Sequence, residues 1–275
     1  MVKQRLDLLL VDRGLVDNQD KAKRLIMAGL VFTEQLRLDK PGMKVDNDIS
    51  LVVKQKKIPY VGRGGLKLEK ALKKFNIRLD NRIMVDVGSS TGGFTDCALK
   101  NGVNLSYAID VGYNQLDWKL RNDKRVVVME RTNFRYVTPD MFKKGLPNFA
   151  SIDVSFISLK LILPVLKKIL LPNSEVVTLI KPQFEAKKEE VGNKGIVQNK
   201  EVHLNVLSQI LSYAKKEGFI INDITFSPIT GGDGNIEFLS HFGWEKENDG
   251  YNFEEKELLQ LVHSAHSKLK QAKGL

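Results

Sequence analysis

The sequence predicts an α/β fold in which a small N-terminal domain precedes a larger domain built on an open, mostly parallel sheet. Three observations support this: short elements and turns in residues 1–57, a basic, glycine-containing segment after them, and apolar strands alternating with amphipathic helices from residue 82 onward. A chain of 275 residues accommodates one large and one small domain. We therefore expect domains at 1–57 and 64–275, joined by a basic linker at 58–63.

The composition excludes several classes of protein. One cysteine rules out a disulfide framework and a multi-cysteine zinc site, and with four scattered histidines we expect no metal. The apolar runs are too short for a membrane-spanning helix, and the N-terminus does not resemble a signal peptide. The formal net charge of +10 favours a polyanionic partner, with nucleic acid ahead of a membrane surface. We expect a cytoplasmic protein that is a monomer or a weak dimer.

The N-terminal segment has the pattern of a compact module. The stretch RLDLLLVDRGL at 5–15 has the leucine spacing of a helix. Asp17 or Asn18 is a suitable N-cap for a second helix. Apolar residues at 31–33 and 49–53 then predict two strands on either side of a turn-rich segment.

Basic side chains are concentrated on the second helix of this module and in the segment 54–75, which has eight lysines and arginines and one acid. Such a cluster is often only a solvated surface, and a surface that faces RNA is the alternative that the net charge favours. The candidate RNA contacts are Arg5, Lys21, Lys23, Arg24, Lys54, Lys56, Lys57 and Arg63.

The larger domain is expected to contain seven strands and several helices. The strand-like segments span 82–88, 105–112, 125–130, 149–156, 176–182, 219–229 and 235–244. The main expected helices span 94–102, 115–123, about 200–217 and 253–275. Alternating strands and helices place helices on both faces of the sheet. The last two strands have no helix between them, which predicts a hairpin at one edge.

The first strand of this sheet ends in a glycine-rich turn, DVGSSTGGFTD, that leads into a helix, the usual place for a nucleoside cofactor. The glycines lack the G-x-G-x-x-G spacing, and the acid Asp86 repels a pyrophosphate but suits the cationic amino group of S-adenosylmethionine (SAM). Gly88 and Gly92 allow close approach of the backbone, while Asp110 suits ribose hydroxyls and Asn133 the adenine. The expected cofactor-binding residues are Asp86, Gly88, Ser89, Thr91, Gly92, Gly93, Phe94, Asp110 and Asn133.

Two lysines and two acids lie at or near predicted strand ends, where the site residues of open α/β sheets gather. Asp153, Lys181 and Glu237 belong to strands, and Lys67 lies at the start of the helix after the linker. This set suits methyl transfer to a weakly acidic alcohol such as a ribose 2′-hydroxyl. A lysine can orient the hydroxyl, stabilise the alkoxide or accept the proton, and the sequence leaves these roles open.

Several motifs together resemble the TlyA-type haemolysin family of ribosomal RNA 2′-O-methyltransferases: DVGSSTGGFTD, AIDVGYNQLDWKLRND, VVVMERTNFR, DVSFISL and IKPQFE. The N-terminal module resembles an S4 RNA-binding domain. The resemblance implies a Rossmann-like class I fold similar to the FtsJ-like methyltransferases, whose Lys-Asp-Lys-Glu tetrad corresponds here to Lys67, Asp153, Lys181 and Glu237. It also implies SAM as cofactor, ribosomal RNA in ribosomal subunits as partner, and cytidine 2′-O-methylation in 23S RNA. The longer members, which this chain resembles, also modify 16S RNA.

Three other functions remain as alternatives. The name haemolysin suggests a pore-forming protein, but no amphipathic or spanning apolar segment is visible in the sequence. S4 domains also precede pseudouridine synthases with an R-L-D motif, which occurs here at 5–7, 37–39 and 78–80, but that class needs no SAM loop. A non-catalytic RNA-binding factor would need neither the tetrad nor the loop.

Overall fold

The computed structural model describes residues 3–34, 36–54, 58–232, 234–245 and 250–271. The chain divides into two compact units, Met1–Lys57 and Ile58–Leu275. Lys56 and Lys57, two of the candidate RNA contacts, lie outside the described residues.

The first unit combines two helices with five short strands. These are β1 (Lys3–Arg5), α1 (Leu6–Asp12), α2 (Gln19–Met27), β2 (Val31–Phe32), β3 (Arg37–Leu38), β4 (Lys44–Asp46) and β5 (Val52–Val53). β1 pairs with β4, and β2 lies between β3 and β5. The fully buried Leu6, Leu10 and Ile26 form the centre of its core. Asn18 caps α2 as predicted, because its side chain accepts a hydrogen bond from the backbone N–H of Lys21.

Several boundaries in this unit differ from the prediction. The first helix begins at Leu6 because Lys3–Arg5 forms a strand with Lys44–Asp46, inside the segment predicted as turns. The strand expected at 49–53 is reduced to Val52–Val53. Strands of two or three residues show too little alternation to be recognised in a sequence.

The second unit is built on one seven-stranded sheet. Its strands are β6 (Ile83–Val87), β7 (Leu105–Ile109), β8 (Val126–Met129), β9 (Phe149–Ile152), β10 (Ser174–Ile180), β11 (Ile220–Phe226) and β12 (Phe238–Trp244). Their order is β11-β12-β10-β9-β6-β7-β8. Neighbours are parallel except at β12, which is antiparallel to both β10 and β11. The predicted mostly parallel sheet with an antiparallel pair at one edge is confirmed.

Helices cover both faces of the sheet, as predicted. They are α3 (Gly64–Phe75), α4 (Gly93–Lys100), α5 (Trp118–Arg121), α6 (Leu163–Leu166), α7 (Pro182–Glu185), α8 (Lys200–Lys216) and α9 (Glu255–Gln271). Leu68 of α3 and Phe94 of α4 belong to one apolar cluster, whereas Leu207 of α8 and Val262 of α9 belong to the other. Within the described part of the chain, no helix combines the length and the apolar character needed to cross a membrane.

The segment 58–63, predicted as a linker, packs on the second unit. The backbone N–H of Val61 donates to Asp96 Oδ2 at 2.9 Å, and Lys100 Nζ donates to the carbonyl of Pro59. A Cβ on Gly62 would lie 2.6 Å from Thr91 Oγ1. The segment is therefore an ordered part of this unit that contacts the glycine-rich turn, not a free connection.

Helices α8 and α9 meet at a buried pair of histidines that the sequence did not suggest. His203 Nδ1 lies 2.9 Å from His266 Nε2. Burial, together with the neighbouring His266, lowers the pKa of His203 to about 4. His203 is therefore neutral near pH 7, which suits a histidine in an apolar interior.

Candidate functional site

The site lies at the carboxyl edge of the sheet, where the strand order reverses beside β6. The next strand in sequence, β7, lies on one side of β6, and β9 lies on the other. Such a reversal opens a crevice for ligands. Two cavities occupy it. The first measures about 330 Å³ and the second about 340 Å³. Both are lined by Gly88, Ser90, Asp153, Ser155 and Phe156.

Asp110 organises the first cavity. Its Oδ2 accepts a hydrogen bond from the backbone N–H of Ser90 at 2.8 Å, and its Oδ1 accepts one from Gly112 at 2.7 Å. The carboxylate thus joins the turn after β6 to the loop after β7. Each oxygen retains a further lone pair for a ligand hydroxyl. Asn133 lines the same cavity, and its Oδ1 accepts from the backbone of Arg135 at 3.1 Å.

Gly88 lies where the two cavities meet, in a backbone conformation that favours glycine. Its φ is +83°, and a Cβ at this position would lie 2.5 Å from the carbonyl oxygen of Asp153. Any side chain here would displace the loop after β9. The glycine therefore fixes the distance between the turn after β6 and Asp153.

Gly92 lies outside the lining of both cavities, which differs from the expectation that it allows a ligand to approach closely. Gly92 lines neither cavity, and a Cβ here would lie 2.2 Å from Leu120 Cδ1 and 2.8 Å from Leu116 Cδ1. The missing side chain makes room for α5 and for the loop before it. Position 92 therefore requires glycine because a side chain would clash with the packed interior.

Asp86 also departs from the prediction. Its side chain is fully buried and lines neither cavity. Oδ2 accepts from the Thr95 backbone N–H at 3.1 Å and hydroxyl at 2.7 Å, and Oδ1 accepts from Ser151 Oγ at 2.8 Å. Burial raises the pKa of Asp86 to about 6, although these hydrogen bonds oppose the shift. The carboxylate therefore ties β6 to α4 and β9 and does not face a ligand's amino group.

Four other predicted cofactor-binding residues of the glycine-rich turn line the second cavity and not the first. These are Ser89, Thr91, Gly93 and Phe94. Gly93 also requires its small size, because a Cβ would lie 2.8 Å from the backbone nitrogen of Gly65. The turn thus separates the two cavities and packs against the start of α3.

The four predicted reactive residues converge in the second cavity. Lys67 Nζ lies 2.8 Å from Glu237 Oε2 and 3.4 Å from Asp153 Oδ2. Lys181 Nζ lies 2.6 Å from Asp153 Oδ1. Asp153 therefore bridges the two lysines through its two oxygens. The structure forms one chain of alternating charges from residues that are far apart in the sequence.

The two lysines differ in their surroundings. Burial lowers the pKa of Lys67, but the charges of Asp153 and Glu237 raise it by more, so that this pKa lies above its ordinary value. Lys67 is therefore held as an ammonium by two carboxylates. Lys181 is paired with one carboxylate, and its Nζ also donates to Ser155 Oγ at 3.0 Å.

Three polar residues of the second cavity were not predicted from the sequence: Ser90 in the glycine-rich turn, and Ser155 and Gln183 beyond it. Ser155 bonds Lys181 and lines both cavities. Gln183 lines the second cavity, and its buried Oε1 has no hydrogen-bond partner within the described residues. Ser155 and Gln183 both lie two residues after a predicted site residue, at a strand end. Their position just after these predicted site residues is the signal in the sequence that could have identified them.

An exposed aromatic side chain stands at the junction of the two cavities. Phe156 is 90% exposed although it lines both cavities, and its φ is +61°. Its ring centroid lies 4.9 Å from that of Phe184. A large apolar side chain in a left-handed conformation and open to solvent costs stability, so its position favours a functional role.

Three of the candidate RNA contacts in the first unit have acidic partners. Arg5 forms two hydrogen bonds with Asp7, Lys21 pairs with Asp17 at 2.6 Å, and Lys23 pairs with Asp20 at 3.7 Å.

The other candidate contacts have different surroundings. Lys54 Nζ lies 4.4 Å from the centroid of the Phe32 ring, and Arg24 donates to a backbone carbonyl. Arg63 lines the second cavity of the larger unit. Across the part of the chain that the structure describes, no group of three or more His, Cys, Asp or Glu residues is placed to hold a metal.

Known proteins resemble this chain over nearly its whole length. A family model described as FtsJ-like methyltransferase matches residues 60–244. A Bacillus subtilis protein named "Putative rRNA methyltransferase YqxC" is 60% identical over 273 residues, which is 99% of this chain and 97% of the relative. The 16S/23S rRNA (cytidine-2′-O)-methyltransferase TlyA of Mycobacterium tuberculosis is 38% identical over 266 residues, 96% of this chain and 98% of the relative. A solved hemolysin-named structure from Streptococcus thermophilus is 50% identical over 100% of both chains, with a TM-score of 0.80.

Proposed function

Because the chain belongs to the FtsJ-like methyltransferase family, we propose that it transfers a methyl group from SAM to the ribose 2′-hydroxyl of a cytidine in ribosomal RNA. Its family membership confirms the predicted methyltransferase and the predicted cofactor. The nucleotide and the RNA are part of the proposal and are supported by the activity named for the Mycobacterium tuberculosis relative. The observation that carries the proposal is the chain of four charged residues beside a cavity of nucleoside size.

The first cavity fits SAM. Its volume of about 330 Å³ falls in the range of small-ligand sites, and the missing Cβ of Gly88 leaves space between the turn after β6 and the loop after β9. We assign the ribose hydroxyls to Asp110 and the adenine to Asn133. When bound, SAM supplies an activated methyl group, and its transfer to an oxygen releases S-adenosylhomocysteine and one proton. Because the cavities share Asp153, the cofactor borders the acceptor.

The second cavity receives the ribose. Lys67, held as an ammonium by two carboxylates, keeps Asp153 and Glu237 in place. We assign the 2′-hydroxyl to Lys181 Nζ, whose ammonium orients the oxygen and stabilises the negative charge that develops on it as it attacks the methyl carbon and its proton passes to water. Asp153 Oδ1, at 2.6 Å, holds this ammonium in place, and the hydrogen bond to Ser155 fixes its direction.

The target base needs a surface outside the catalytic cavity. A nucleotide in a folded RNA must leave its helix before its 2′-hydroxyl can enter. Phe156 offers an exposed ring at the entrance on which a base can stack. Arg135 and Lys188 line the groove beside Phe156 and Phe184 and are suited to the flanking phosphates.

We propose that the first unit is an S4-like RNA-binding domain. Within the described residues, Arg24 and Lys54 have no carboxylate partner and so remain available to phosphates. Lys21 and Lys23 can exchange their exposed acidic partners for phosphates, because surface ion pairs contribute little to stability. RNA binding should therefore weaken steeply with salt.

The test uses methyl-labelled SAM and unmodified ribosomal subunits. Purified protein is incubated with small and large subunits separately, and the label is located by digestion to nucleosides. We expect 2′-O-methylcytidine in the RNA of both subunits, because the aligned relative named for both activities spans 96% of this chain. Label in the large subunit alone would restrict the substrate. No label in either subunit, with SAM binding demonstrated, would overturn the ribosomal assignment.

A further inference from the structure

Two lysines from different helices meet at the ring of Phe226, at the end of β11. Lys70 of α3 places its Nζ 3.7 Å from the ring centroid and donates to the carbonyl oxygen of Phe226 at 2.5 Å. Lys268 of α9 places its Nζ 5.7 Å from the same centroid. Two ammonium groups thus lie within about 6 Å of the centre of one aromatic ring.

Among the described residues, no carboxylate balances these two charges. Lys74, a further lysine of α3, pairs with Asp223 at 3.2 Å, but Lys70 and Lys268 have no such partner there. Burial lowers the pKa of Lys70 to about 8, and the positive charges of Lys268 and Lys74 add to this. An anion between the two ammonium groups would reverse this unfavourable crowding.

The cluster lies near the catalytic cavity, although Lys70, Phe226 and Lys268 do not line it. Lys70 follows Lys67 by three residues on α3, which is roughly 4.5 Å along a helix axis. In the sheet, Phe226 pairs with Phe238 of β12, which pairs in turn with Ile180 of β10, next to Lys181. The two lysines therefore lie at the same edge of the sheet as the reactive groups, on the side away from the first cavity.

We propose that Lys70 and Lys268 form a binding site for one backbone phosphate of the RNA whose target nucleotide occupies the second cavity. This inference rests on the proposed function, because it takes the anion from the RNA substrate. Lysine ammonium groups bind phosphate as point charges, and such contacts position the chain without reading its sequence. The site would hold the RNA on the side of the reactive residues opposite to Phe156.

The test compares the double variant Lys70→Gln/Lys268→Gln with a matched control, Lys73→Gln/Lys256→Gln. The control removes one lysine from each of the same two helices, and both control lysines are exposed and paired with acids, Glu69 and Glu254. Binding to unmodified ribosomal subunits is measured from low to high KCl, and methyl transfer is measured against subunit concentration.

We expect the double variant to reduce the slope of log K against log salt by about 0.7 to 0.9, the value for one phosphate contact. Its KM for the subunits should rise several-fold, with the effect on KM rather than on kcat. A slope and a KM equal to those of the control would overturn the inference.

Two further measurements keep the test decisive. Lys70 also bonds the backbone of Phe226, so thermal unfolding is followed in parallel, and the exposed Lys268→Gln alone carries the test if the double variant is unstable. If the wild-type protein methylates neither subunit but the double variant still loses slope, the phosphate site stands and the proposed function fails. If the wild-type protein methylates RNA but the double variant has the same slope as the control, the proposed function stands and the phosphate site is wrong.

Discussion

Lys181 Nζ lies 2.6 Å from Oδ1 of Asp153, and Asp153 in turn reaches Lys67 through its other oxygen at 3.4 Å. Removal of Lys181 therefore leaves Asp153 with a cation nearby, and the fold should survive the change. We expect Lys181→Ala to slow methyl transfer by about 10²- to 10³-fold, the usual contribution of one positioned donor to a developing negative charge.

The affinity of Lys181→Ala for SAM should be nearly unchanged, because Lys181 does not line the first cavity. Single-turnover transfer and calorimetric SAM binding measure the two effects separately. The exposed Lys168→Ala serves as a control that should match the wild type. Equal losses of SAM binding and transfer in Lys181→Ala would mean that the residue is structural.

Phe156 should matter for RNA and not for folding. Its side chain is 90% exposed, so Phe156→Ala loses little buried apolar surface, and the variant should unfold at nearly the same temperature. The loss of a stacked base costs about 1 to 3 kcal/mol. This corresponds to a roughly 5- to 150-fold lower kcat/KM for the RNA substrate.

Methyl transfer against subunit concentration measures this effect, and Phe156→Tyr, which retains an aromatic face, should be close to the wild type. Phe156 also lines the first cavity, so SAM affinity is measured in parallel. A loss confined to SAM affinity would assign the ring to the cofactor and contradict the stacking role.

Gly92 should act through packing. In Gly92→Ala the new methyl group meets Leu120 Cδ1 at 2.2 Å, in a backbone conformation with φ of +92°. We expect the variant to lose about 1 to 3 kcal/mol of stability, as is usual for overpacking. Leu120→Ala is itself destabilising, because Leu120 is buried, but its cost should be smaller in the Gly92→Ala background than in the wild type, because there it also removes the clash.

Denaturant unfolding followed by tryptophan fluorescence measures this, because Trp118 and Trp244 are the two tryptophans of the chain and both belong to the second unit. Weaker SAM binding with an unchanged unfolding midpoint would contradict the packing role and indicate that Gly92 contacts the cofactor, as the sequence motif suggested.

The sequence predicts the position of the reactive residues well because sheet topology fixes it. Asp153 and Lys181 each follow a parallel strand, and parallel strands of one sheet end at the same edge. Glu237 precedes β12, which runs antiparallel, so the start of that strand lies at this edge as well. Once the alternation of strands and helices is recognised, these three residues must lie near one another.

The directions of Asp86 and Gly92 could not be predicted from the motif that contains them. Their neighbours come from other parts of the chain: Ser151 on β9 takes one oxygen of Asp86, and Leu120 on α5 fills the space beside Gly92. A motif specifies that an acid and a glycine are present. Which side of the backbone meets a ligand depends on packing that only the folded chain reveals.

The sequence also could not predict which surface lysines form ion pairs. Lys70 and Lys73 lie in one basic segment, but Lys73 is paired with Glu69 while Lys70 meets Lys268 from the last helix. A basic run shows how much charge is present. The structure is needed to show which cations remain without an acidic partner, and so which of them can bind an anion.

The buried carboxyl of Asp86 should make stability depend on pH in a defined direction. Its pKa is raised from 3.8 to about 6 in the folded state, mainly by burial. A group with a raised folded pKa stabilises the fold below its unfolded pKa and loses that contribution as the pH rises through the folded pKa. Over the whole range this corresponds to on the order of 3 kcal/mol.

The test compares the wild type with Asp86→Asn, in which this titration is absent, by denaturant unfolding at pH 5 and pH 7.5. Relative to the variant, the wild type should lose on the order of 1 kcal/mol of stability between these two pH values. The buried His203, with its pKa of about 4, titrates equally in both proteins and cancels in the difference. Asparagine also presents an N–H to the donors Thr95 or Ser151, so the variant should be less stable at both pH values. A stability difference that is the same at pH 5 and pH 7.5 would mean that Asp86 stays ionised in the folded protein throughout, with the hydrogen bonds from Thr95 and Ser151 outweighing burial.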